Sequence, residues 1–324
     1  MKKTKLAYFG SPDFAAHFLE KLLTDTTINQ LIVVSLVVTQ PDQKVGRKQI
    51  LTPTPVKVIA NKYKIQMIDS SLTNPSSIFQ DIDLALVYAY GDLIPKELLD
   101  IPKYGFWNIH PSLLPKYRGP SPIATPLINS DKITGVTIIK MDEEIDHGPI
   151  IAQESMAIED GDKRPELEKK LTDLGFNMFE ELIKTGVEGL GLPTAHSRGI
   201  LSEASTDGKR HETGPVFRLT EQNHKQATFT KKLSKQDGFI EISKLKDQIL
   251  KNPLSLFNLF RGLTPWPGIW TLLRQDFGGQ AIQKRLKIID LSLINGKLII
   301  KKVQLEGKNE VDFKTFNEAY KIFY

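Results

Sequence analysis

The chain has 324 residues, 40% of them hydrophobic and 25% charged, with a net charge of +5, a composition typical of a globular protein of about two domains. It has no run of about eighteen apolar residues, and the apolar run near its start is too short for a signal peptide, so we expect no membrane span and a cytoplasmic setting. The absence of cysteine excludes disulfides, a thiolate nucleophile and cysteine-ligated metals.

The first half of the chain alternates apolar strands with helices. Strands are predicted at KLAYFG, LIVVSLVVTQ, KIQMID, DLALVYAY and YGFWNIH, and helices at FAAHFLEKLL and VKVIANKYK. Ser11 is predicted to cap the first helix, with Pro12 in its first turn. The single glycine of that turn is too few for a dinucleotide fingerprint. Such alternation is typical of an α/β fold, a Rossmann-like doubly wound, mostly parallel sheet.

Polar side chains follow two of the apolar strands. Asn108 and His110 are two residues apart, so both face the same side of the strand that ends at His110. A second polar cluster, Asp142 to His147, follows the strand GVTIIKM. Because ligands of open α/β sheets bind beyond the carboxyl ends of strands, we expect a site at the rim of this sheet.

The rest of the chain is predicted to end the first domain and to add a second. GVTIIKM and PIIAQESMAI are predicted as a strand pair at the sheet edge, followed by one long helix, so a catalytic domain is placed at residues 1–190. Residues 191–226 are predicted as a linker with a polar insertion, in which His196, His211 and His224 match no metal motif and are expected to be solvated. From Ala227 onwards, short strands separated by Gly and Asn predict a small β-barrel domain of OB type at residues 227–324.

The positive charge is concentrated in the C-terminal part. Residues 227–324 contain 17 Lys and Arg against 9 Asp and Glu, a net charge of +8, whereas residues 1–226 carry −3. This asymmetry favours contact with a polyanion. A solvated lysine surface is an equally good interpretation of the charge alone.

Several stretches, spread over both predicted domains, resemble the methionyl-tRNA formyltransferases. They are FGSPDFA, VVTQPDQKVGRKQILTPTPVK, VYAYGDLIP, NIHPSLLPKYRG, TGVTIIKMDEEIDHG, ATFTKKLSKQDGFIEI and FRGLTPWPGIW. NIH, SLLP and a later D-x-G are typical of all 10-formyltetrahydrofolate-dependent formyltransferases. The TQPD to LTPTPVK loop and the TPWPG segment narrow the resemblance to the enzymes that act on tRNA.

The chain departs from this pattern in places, and other formyltransferases stay as alternatives. Pro111 replaces a small residue and is more usual in glycinamide ribonucleotide formyltransferases, which resemble only the first domain. Sugar-nucleotide N-formyltransferases use the same folate donor, and some carry a small C-terminal barrel. A noncatalytic folate- or RNA-binding protein is the alternative outside enzyme chemistry.

The resemblance implies a formyltransferase fold and transfer of a formyl group from 10-formyltetrahydrofolate to the amino group of initiator methionyl-tRNA, by a monomer without a metal. It implies Asn108, His110 and Asp146 as catalytic residues. His110 would manage the proton, since imidazole titrates near neutrality. Asp146 would orient His110, and Asn108 would donate to the developing oxyanion.

The resemblance also implies residues for both substrates. Folate would meet Ser112, Leu113, Leu114 and Pro115, an apolar loop that we expect to expose backbone groups, together with Ala89, Tyr90, Gly91 and Asp142. The tRNA would meet Lys44, Arg47 and Lys48 in the loop after the second strand, with Arg261 as a backbone contact. Arg118 would either face the tRNA end or brace the folate loop. Trp266 and Trp270 are expected in the barrel core.

Overall fold

The computed structural model describes residues 2–46, 48–69, 76–186, 219–277 and 280–323, which fall into two compact units. Unit 1 takes its described residues from Met1–Pro120, Gly135–Met156 and Lys169–Phe229, and unit 2 from Ser121–Thr134, Ala157–Glu168 and Thr230–Tyr324. Most of the predicted linker, with His196 and His211, lies outside the described residues, so the predicted domain boundaries stay a prediction. None of the helices in the described ranges combines the length and apolarity that a bilayer crossing requires.

Unit 1 is built on a seven-stranded sheet. The strands of this part of the chain are β1 Thr4–Phe9, β2 Ile32–Val38, β3 Gln43–Val45, β4 Ile50–Thr52, β5 Met67–Ile68, β6 Leu84–Val87, β7 Phe106–His110, β8 Ile133–Lys140 and β9 Ile150–Ala157. The sheet order is β5-β2-β1-β6-β7-β8-β9, while β3 and β4 form a separate hairpin where the sequence predicts a loop. Neighbouring strands in the series β5, β2, β1, β6 and β7 pair in parallel, and β8 is antiparallel to β7. The predicted mostly parallel sheet is confirmed.

Helical segments cover both faces of this sheet. The helices up to residue 185 are α1 Asp13–Thr24, α2 Ile28–Leu31, α3 Pro55–Lys62, α4 Ser76–Phe79, α5 Lys96–Leu99, α6 Ala124–Ile128 and α7 Arg164–Thr185, of which α6 and the start of α7 belong to unit 2. On one face of β1, Tyr8 stacks on Phe18 of α1 at 6.1 Å between ring centroids. On the other face, Phe9 stacks on Phe79 of α4 at 5.8 Å. Burial on both faces explains why the central strands of the sheet are largely apolar.

Unit 2 contains a small antiparallel sheet with helices against it. Its strands are β10 Ile269–Phe277, β11 Gln280–Ile294, β12 Lys297–Leu305 and β13 Glu310–Asp312, hydrogen-bonded in that order, and its further helices are α8 Ile242–Lys251, α9 Pro253–Leu263 and α10 Phe313–Tyr320. Asn295 and Gly296, both with positive φ, turn the chain between β11 and β12. The predicted small β domain is confirmed, and its four strands are consistent with an OB-like domain.

In the C-terminal region two local predictions are wrong, and one helix was not predicted. The stretch ATFTKKL, which begins the region of predicted short strands, forms no strand: Phe229 makes an isolated bridge to Arg118, and a short capped helix follows at Lys235–Gly238. The helix α8, which the sequence patterns did not predict, lies before α9 and contributes Leu245 to the core. Trp266 is 52% exposed and therefore does not belong to that core.

Arg261 occupies a buried position in unit 2, where the sequence predicts a contact with tRNA. It is 5% exposed, and its Nη1 donates to the backbone oxygens of Glu159, Asp160 and Asp162 at 3.0, 3.3 and 3.3 Å. Its Nη2 and Nε donate to Asn258 Oδ1 at 2.6 and 3.2 Å. Burial lowers the pKa of this guanidinium, against the opposing effect of Asp160 and Asp162. The guanidinium of Arg261 is thus engaged inside unit 2, and its predicted contact with tRNA stays a prediction that this burial does not favour.

We expect Arg261→Met to destabilise the protein by about 3 kcal/mol, because it removes charged hydrogen bonds and leaves buried carbonyl oxygens without a donor. The measurement is the free energy of unfolding by denaturant at fixed pH. The control is Lys314→Met, which removes one positive charge from an exposed position of α10. Equal free energies for the two variants would contradict the structural role of Arg261.

Candidate active site

Three polar side chains meet beside β7. Asn108 and His110 face the same side of the sheet because they are two residues apart on the strand. Asn108 Nδ2 donates to Asp146 Oδ1 at 3.0 Å, and His110 Nδ1 lies 3.4 Å from the same oxygen. The structure thus brings together the three residues that the sequence indicates as catalytic.

The sequence predicts that Asp146 follows a strand that ends at the same edge of the sheet as β7. In the structure its loop starts at the opposite end of β7. Because β8 is antiparallel to β7, its last residue, Lys140, pairs with Trp107, whereas His110 pairs with Thr137. The loop after β8 therefore starts near the beginning of β7 and runs back along it, roughly 10 Å at the rise of a strand, before Asp146 can meet His110. The site lies along β7 and not only beyond its carboxyl end.

Both carboxylate oxygens of Asp146 have donors in addition to the histidine. Oδ2 accepts the backbone N–H of Gly119 at 2.7 Å, and Asp146 itself has a positive φ of 51°, a conformation that few non-glycine residues adopt. Burial raises the pKa of this carboxyl group, but His110, the Gly119 N–H and Arg118 together outweigh burial, so that the pKa of Asp146 lies below its ordinary value. Asp146 is therefore ionised at neutral pH.

Both ring nitrogens of His110 face oxygen atoms. Nε2 lies 3.0 Å from the backbone oxygen of Tyr117, which can only accept, so Nε2 carries a proton. Nδ1 faces the carboxylate of Asp146 on the other side of the ring. The ring can donate to both oxygens only when it carries two protons. His110 is 4% exposed and is followed by Pro111, which is also buried, so the ring is held in a tight environment.

The predicted folate-binding segment Ser112–Pro115 is fixed by hydrogen bonds from within the protein. Leu114 N donates to Thr137 Oγ1 at 3.1 Å, and Leu114 O accepts from Gln153 Nε2 at 2.8 Å. The sequence predicts exposed backbone groups here, and for Leu114 this is wrong because its N–H and C=O are both used internally. What the segment presents to its surroundings is the partly exposed side chain of Leu113 together with that of Pro115.

The second predicted folate segment is a turn with left-handed backbone conformations after β6. Ala89 has a φ of 53° and Gly91 a φ of 93°. Tyr90 is buried, and burial followed by the charge of Asp92 raises the pKa of its phenol to about 12, so it stays neutral. The backbone at Gly91 is approached closely by Gln40, whose Nε2 would lie 3.0 Å from an added Cβ.

Ser11 supports this turn and does not cap α1. Its hydroxyl donates to the backbone oxygen of Tyr90 at 2.8 Å, and its Oγ accepts from Gln40 N at 3.3 Å. The N-cap of α1 is Pro12, and no side chain caps it. The predicted capping role of Ser11 is therefore wrong, because the hydroxyl serves a turn that is distant in sequence.

Asp142, the remaining folate candidate, belongs to a small cluster with two histidines. Its Oδ2 pairs with His147 Nδ1 at 2.7 Å, and His147 stacks on His224 at 4.0 Å between ring centroids. His224 Nδ1 accepts from Arg118 at 2.8 Å, so this exposed histidine has partners on two sides, which the prediction of a solvated loop residue misses. Among the described residues, no group of three or more acidic or histidine side chains is arranged to hold a metal ion.

The predicted tRNA-binding cations have different environments. Lys44 and Lys48 are exposed on and beside the β3–β4 hairpin, whereas Arg47 lies outside the described residues. Arg118 is 4% exposed, and its Nη2 donates to Gln222 Oε1 at 2.7 Å. Of the two roles that the sequence allows for Arg118, bracing the loop is the one that fits its burial, and the role facing tRNA does not.

Sequence reasoning missed Gln222, which lies in the region assigned to the linker. This residue is 4% exposed, and its Nε2 donates to the backbone oxygens of Asp146 and Gly148 at 2.9 and 2.8 Å. A single glutamine in a polar stretch without periodicity carries no signal that separates it from its exposed neighbours. Only its position in the folded chain reveals the contact.

The comparisons with known proteins agree with this geometry. The family model described as "Formyl transferase" matches residues 4–183, the span that holds the sheet and the three clustered side chains, so the fold and site define a formyl transferase. Two similar curated proteins, both named methionyl-tRNA formyltransferase, come from Caldicellulosiruptor saccharolyticus and Staphylococcus aureus (strain JH1). The first is 33% identical over 341 residues, covering 98% of this chain and 97% of the relative, and the second is 33% identical over 296 residues, covering 90% and 80%. This chain belongs to the methionyl-tRNA formyltransferase family.

A solved structure extends the likeness of the fold. It is described as WlaRD, a sugar 3N-formyl transferase in the presence of dTDP and 5-N-formyl-THF. It matches with a TM-score of 0.57 and 18% identity, over 95% of this chain and 100% of the other. At this identity the likeness concerns the fold alone.

The lowered pKa of Asp146 leads to a prediction for stability. A carboxyl group whose pKa is depressed by folding stabilises the native state above its unfolded pKa, and this contribution is lost as pH falls through the folded pKa. We therefore expect the excess stability of wild type over Asp146→Asn to be constant above about pH 5 and to shrink steadily at lower pH. Denaturant unfolding from pH 3 to 7 measures it. The exposed Asp81→Asn serves as the control, and a difference that grows as pH falls would contradict the assignment.

Proposed function

We propose that this protein transfers the formyl group of 10-formyltetrahydrofolate to the α-amino group of methionyl-tRNA, with the initiator as the natural acceptor. The observation that carries the proposal is the convergence of the Asn108 amide and the His110 imidazole on one buried oxygen of Asp146. This arrangement lies in a chain that matches methionyl-tRNA formyltransferases over nearly its whole length. The bound folate supplies the formyl group, and the residues below provide positions, protons and charge.

Asn108 is proposed to stabilise negative charge on the formyl oxygen. Its amide nitrogen carries two hydrogens, and the bond to Asp146 uses one of them. The second can point to an oxygen on which charge develops as an amine adds to the carbonyl. The bond to Asp146 fixes the amide plane in advance, which is what makes such a donor effective, and removing one typically costs about 3 kcal/mol in the transition state.

His110 and Asp146 are proposed to manage the proton that the attacking amine must lose. Asp146 is ionised and 10% exposed at its side chain, so its charge acts in a place with little water to screen it. When the substrates bind, His110 would exchange its bond to Tyr117 for one to the attacking amine, with its own proton on Nδ1 towards Asp146, so that Nε2 can take the amine proton and pass it to the folate nitrogen that leaves. Catalytic hydrogen bonds often form fully only in the substrate complex, so the bond to Tyr117 does not oppose this role.

The loops around the site expose large apolar side chains, which can pack against a flat ligand such as a pterin with its aminobenzoyl tail. Leu93 follows the Ala89–Gly91 turn and is 82% exposed, and Ile145 next to Asp146 is 60% exposed. Lys96 and Glu143 approach to 3.7 Å, which places these two loops side by side. We propose that Leu93, Ile145 and Leu113 cover the folate, while the polar groups of the turn and of Asp142 orient it.

The hairpin Gln43–Thr52 is proposed to meet the acceptor end of the tRNA. Every described residue from Gln43 to Thr52 is exposed, including Lys44 and Lys48. The base of the hairpin is held by Lys57, whose Nζ lies 2.6 Å from Asp42 Oδ1. Exposed cations on a supported projection suit sequence-independent contact with phosphates.

The tRNA acceptor also suggests where and how the protein works. Aminoacyl-tRNA is made and used where translation takes place, so we propose a cytoplasmic enzyme, and we propose that it acts as a monomer. The competing acceptors are amino-sugar nucleotides, because the sugar formyl transferases share the fold. The relatives at 33% identity, which are tRNA enzymes by name, favour methionyl-tRNA.

An acceptor screen tests the proposal. Purified protein with labelled 10-formyltetrahydrofolate is expected to formylate methionyl-tRNA and to leave dTDP-amino sugars and glycinamide ribonucleotide unlabelled. His110→Ala and Asp146→Asn should each lower kcat at least about a hundredfold, because each removes a group acting on the proton, while tRNA affinity is nearly kept. Labelling of an amino sugar in place of methionyl-tRNA would overturn the acceptor, and full activity of either variant would overturn the site.

If the hairpin lysines contact tRNA phosphates, removing them should weaken the salt dependence of tRNA binding. Replacing both Lys44 and Lys48 by Gln should raise the KM for tRNA and lower the slope of log affinity against log salt by up to about 2, with the KM for folate unchanged. The control replaces Lys2 and Lys3 by Gln, which makes the same change in net charge at exposed positions elsewhere in unit 1. Equal slopes for the two double variants would place the tRNA contact elsewhere.

A further inference from the structure

The last part of the predicted linker and the residues just after it form part of unit 1, the unit that holds the site. Residues 219–229, here called the strap, belong to unit 1. At one end, Thr220 and Ile150 exchange both backbone hydrogen bonds, at 2.8 and 2.9 Å. At the other end, Arg118 N donates to Thr228 O at 2.9 Å. The strap thus touches the start of β9 and the loop after β7, the two segments that flank the site.

Gln222 lies between these two attachments and makes three bonds to residues of the site. Its Nε2 donates both hydrogens, one to the backbone oxygen of Asp146 at 2.9 Å and one to that of Gly148 at 2.8 Å. Its Oε1 accepts from Arg118 Nη2 at 2.7 Å. All capacity of the amide to donate is used on the one turn that carries the catalytic carboxylate.

The turn at Asp146 needs such support from outside. Asp146 has a positive φ, and Gly148 fits so closely against the end of β8 that an added Cβ would lie 1.9 Å from the backbone oxygen of Lys140. The carboxylate must simultaneously meet Asn108, His110 and the Gly119 N–H. A shift of about 1 Å in a catalytic group can cost on the order of a hundredfold in rate.

We propose that Gln222 is a positioning residue for the formyl-transfer reaction, and that it acts by holding the backbone of Asp146 in the conformation that places its carboxylate on His110 and Asn108. This inference rests on the proposed function, because the test measures formyl transfer. The contacts from which it is argued involve only the catalytic residues and do not depend on which amine is the acceptor. Arg118 contributes by fixing the orientation of the Gln222 amide, since its guanidinium can only donate and therefore selects Oε1.

A simpler role for Gln222 would be to give the buried guanidinium of Arg118 an acceptor. The substitution Gln222→Glu separates the two roles. A glutamate keeps the acceptor for Arg118 and makes it a charged one, but it has no N–H to donate to Asp146 and Gly148. Gln222→Met removes both roles at similar side-chain length.

The experiment compares Gln222→Glu and Gln222→Met with wild type and with matched controls. The controls are Gln226→Glu and Gln226→Met, at an exposed position four residues along the strap. Steady-state kinetics are measured for folate and acceptor over a range of pH, and folding is checked by thermal unfolding. Both Gln222 variants should lower kcat at least about tenfold, with each KM changed less than about threefold.

The pH titration of Asp146 supplies a signature that loss of stability alone would not produce. His110 and Arg118 are the titratable and charged groups facing Asp146, and the pKa of its carboxyl group lies below the ordinary value through them and the Gly119 N–H. A carboxylate that drifts from these partners loses that effect, so its pKa rises. The titration of the Asp146 carboxyl group, followed by carbon NMR, should therefore move to higher pH in the neutral variant Gln222→Met and stay in place in its control Gln226→Met.

The outcomes decide between the roles. A Gln222→Glu enzyme within twofold of wild type would overturn the proposal in favour of the simpler role, and so would a loss of kcat in Gln222→Met with an unmoved titration of Asp146. Should Gln222→Glu fail to fold, Gln222→Met decides by the same two measurements. A wild-type protein inactive on methionyl-tRNA would overturn the proposed function instead, and the Gln222 test would then use whichever amine the acceptor screen identifies.

Discussion

The site depends on a single buried carboxylate that several donors share. Asp146 binds the Asn108 amide and the Gly119 N–H and lies beside the His110 ring, so it sets the orientation of the groups that would act on the substrates. Burial would by itself favour the protonated form of the carboxyl group, and the neighbouring His110, the Gly119 N–H and Arg118 reverse that preference. Loss of one partner therefore affects both the geometry and the charge of the others.

The cations that the sequence predicts to bind tRNA fall into two groups by their surroundings in the structure. Arg118 and Arg261 are enclosed by amide and carbonyl oxygens, where a planar guanidinium can satisfy several acceptors at once. Lys44 and Lys48 stay in solvent, as a compact and strongly hydrated ammonium group favours. The net charge of a segment therefore overstates what is available to a nucleic acid, because part of it serves the interior.

The sequence alone predicts much of this architecture, for physical reasons that can be named. Apolar runs alternating with helices indicate the doubly wound sheet, and the two-residue spacing of Asn108 and His110 is enough to place them on one face. The direction of β8 cannot be read in the same way, because an apolar strand looks alike in either direction. Burial of Arg118, the turn contact of Ser11 and the bonds of Gln222 depend on residues from 74 to 104 positions away in the chain, and no local pattern encodes them.

The antiparallel course of β8 also restricts how this part of the gene can vary. The loop has to return along β7 by a set distance, and Asp146 reaches its partners only at the end of that path. An insertion or deletion of one residue before it would displace the carboxylate by about 3 Å, which is more than a hydrogen bond tolerates. Indels should therefore be excluded between Met141 and Asp146 even where the identity of individual amino acids is free to drift.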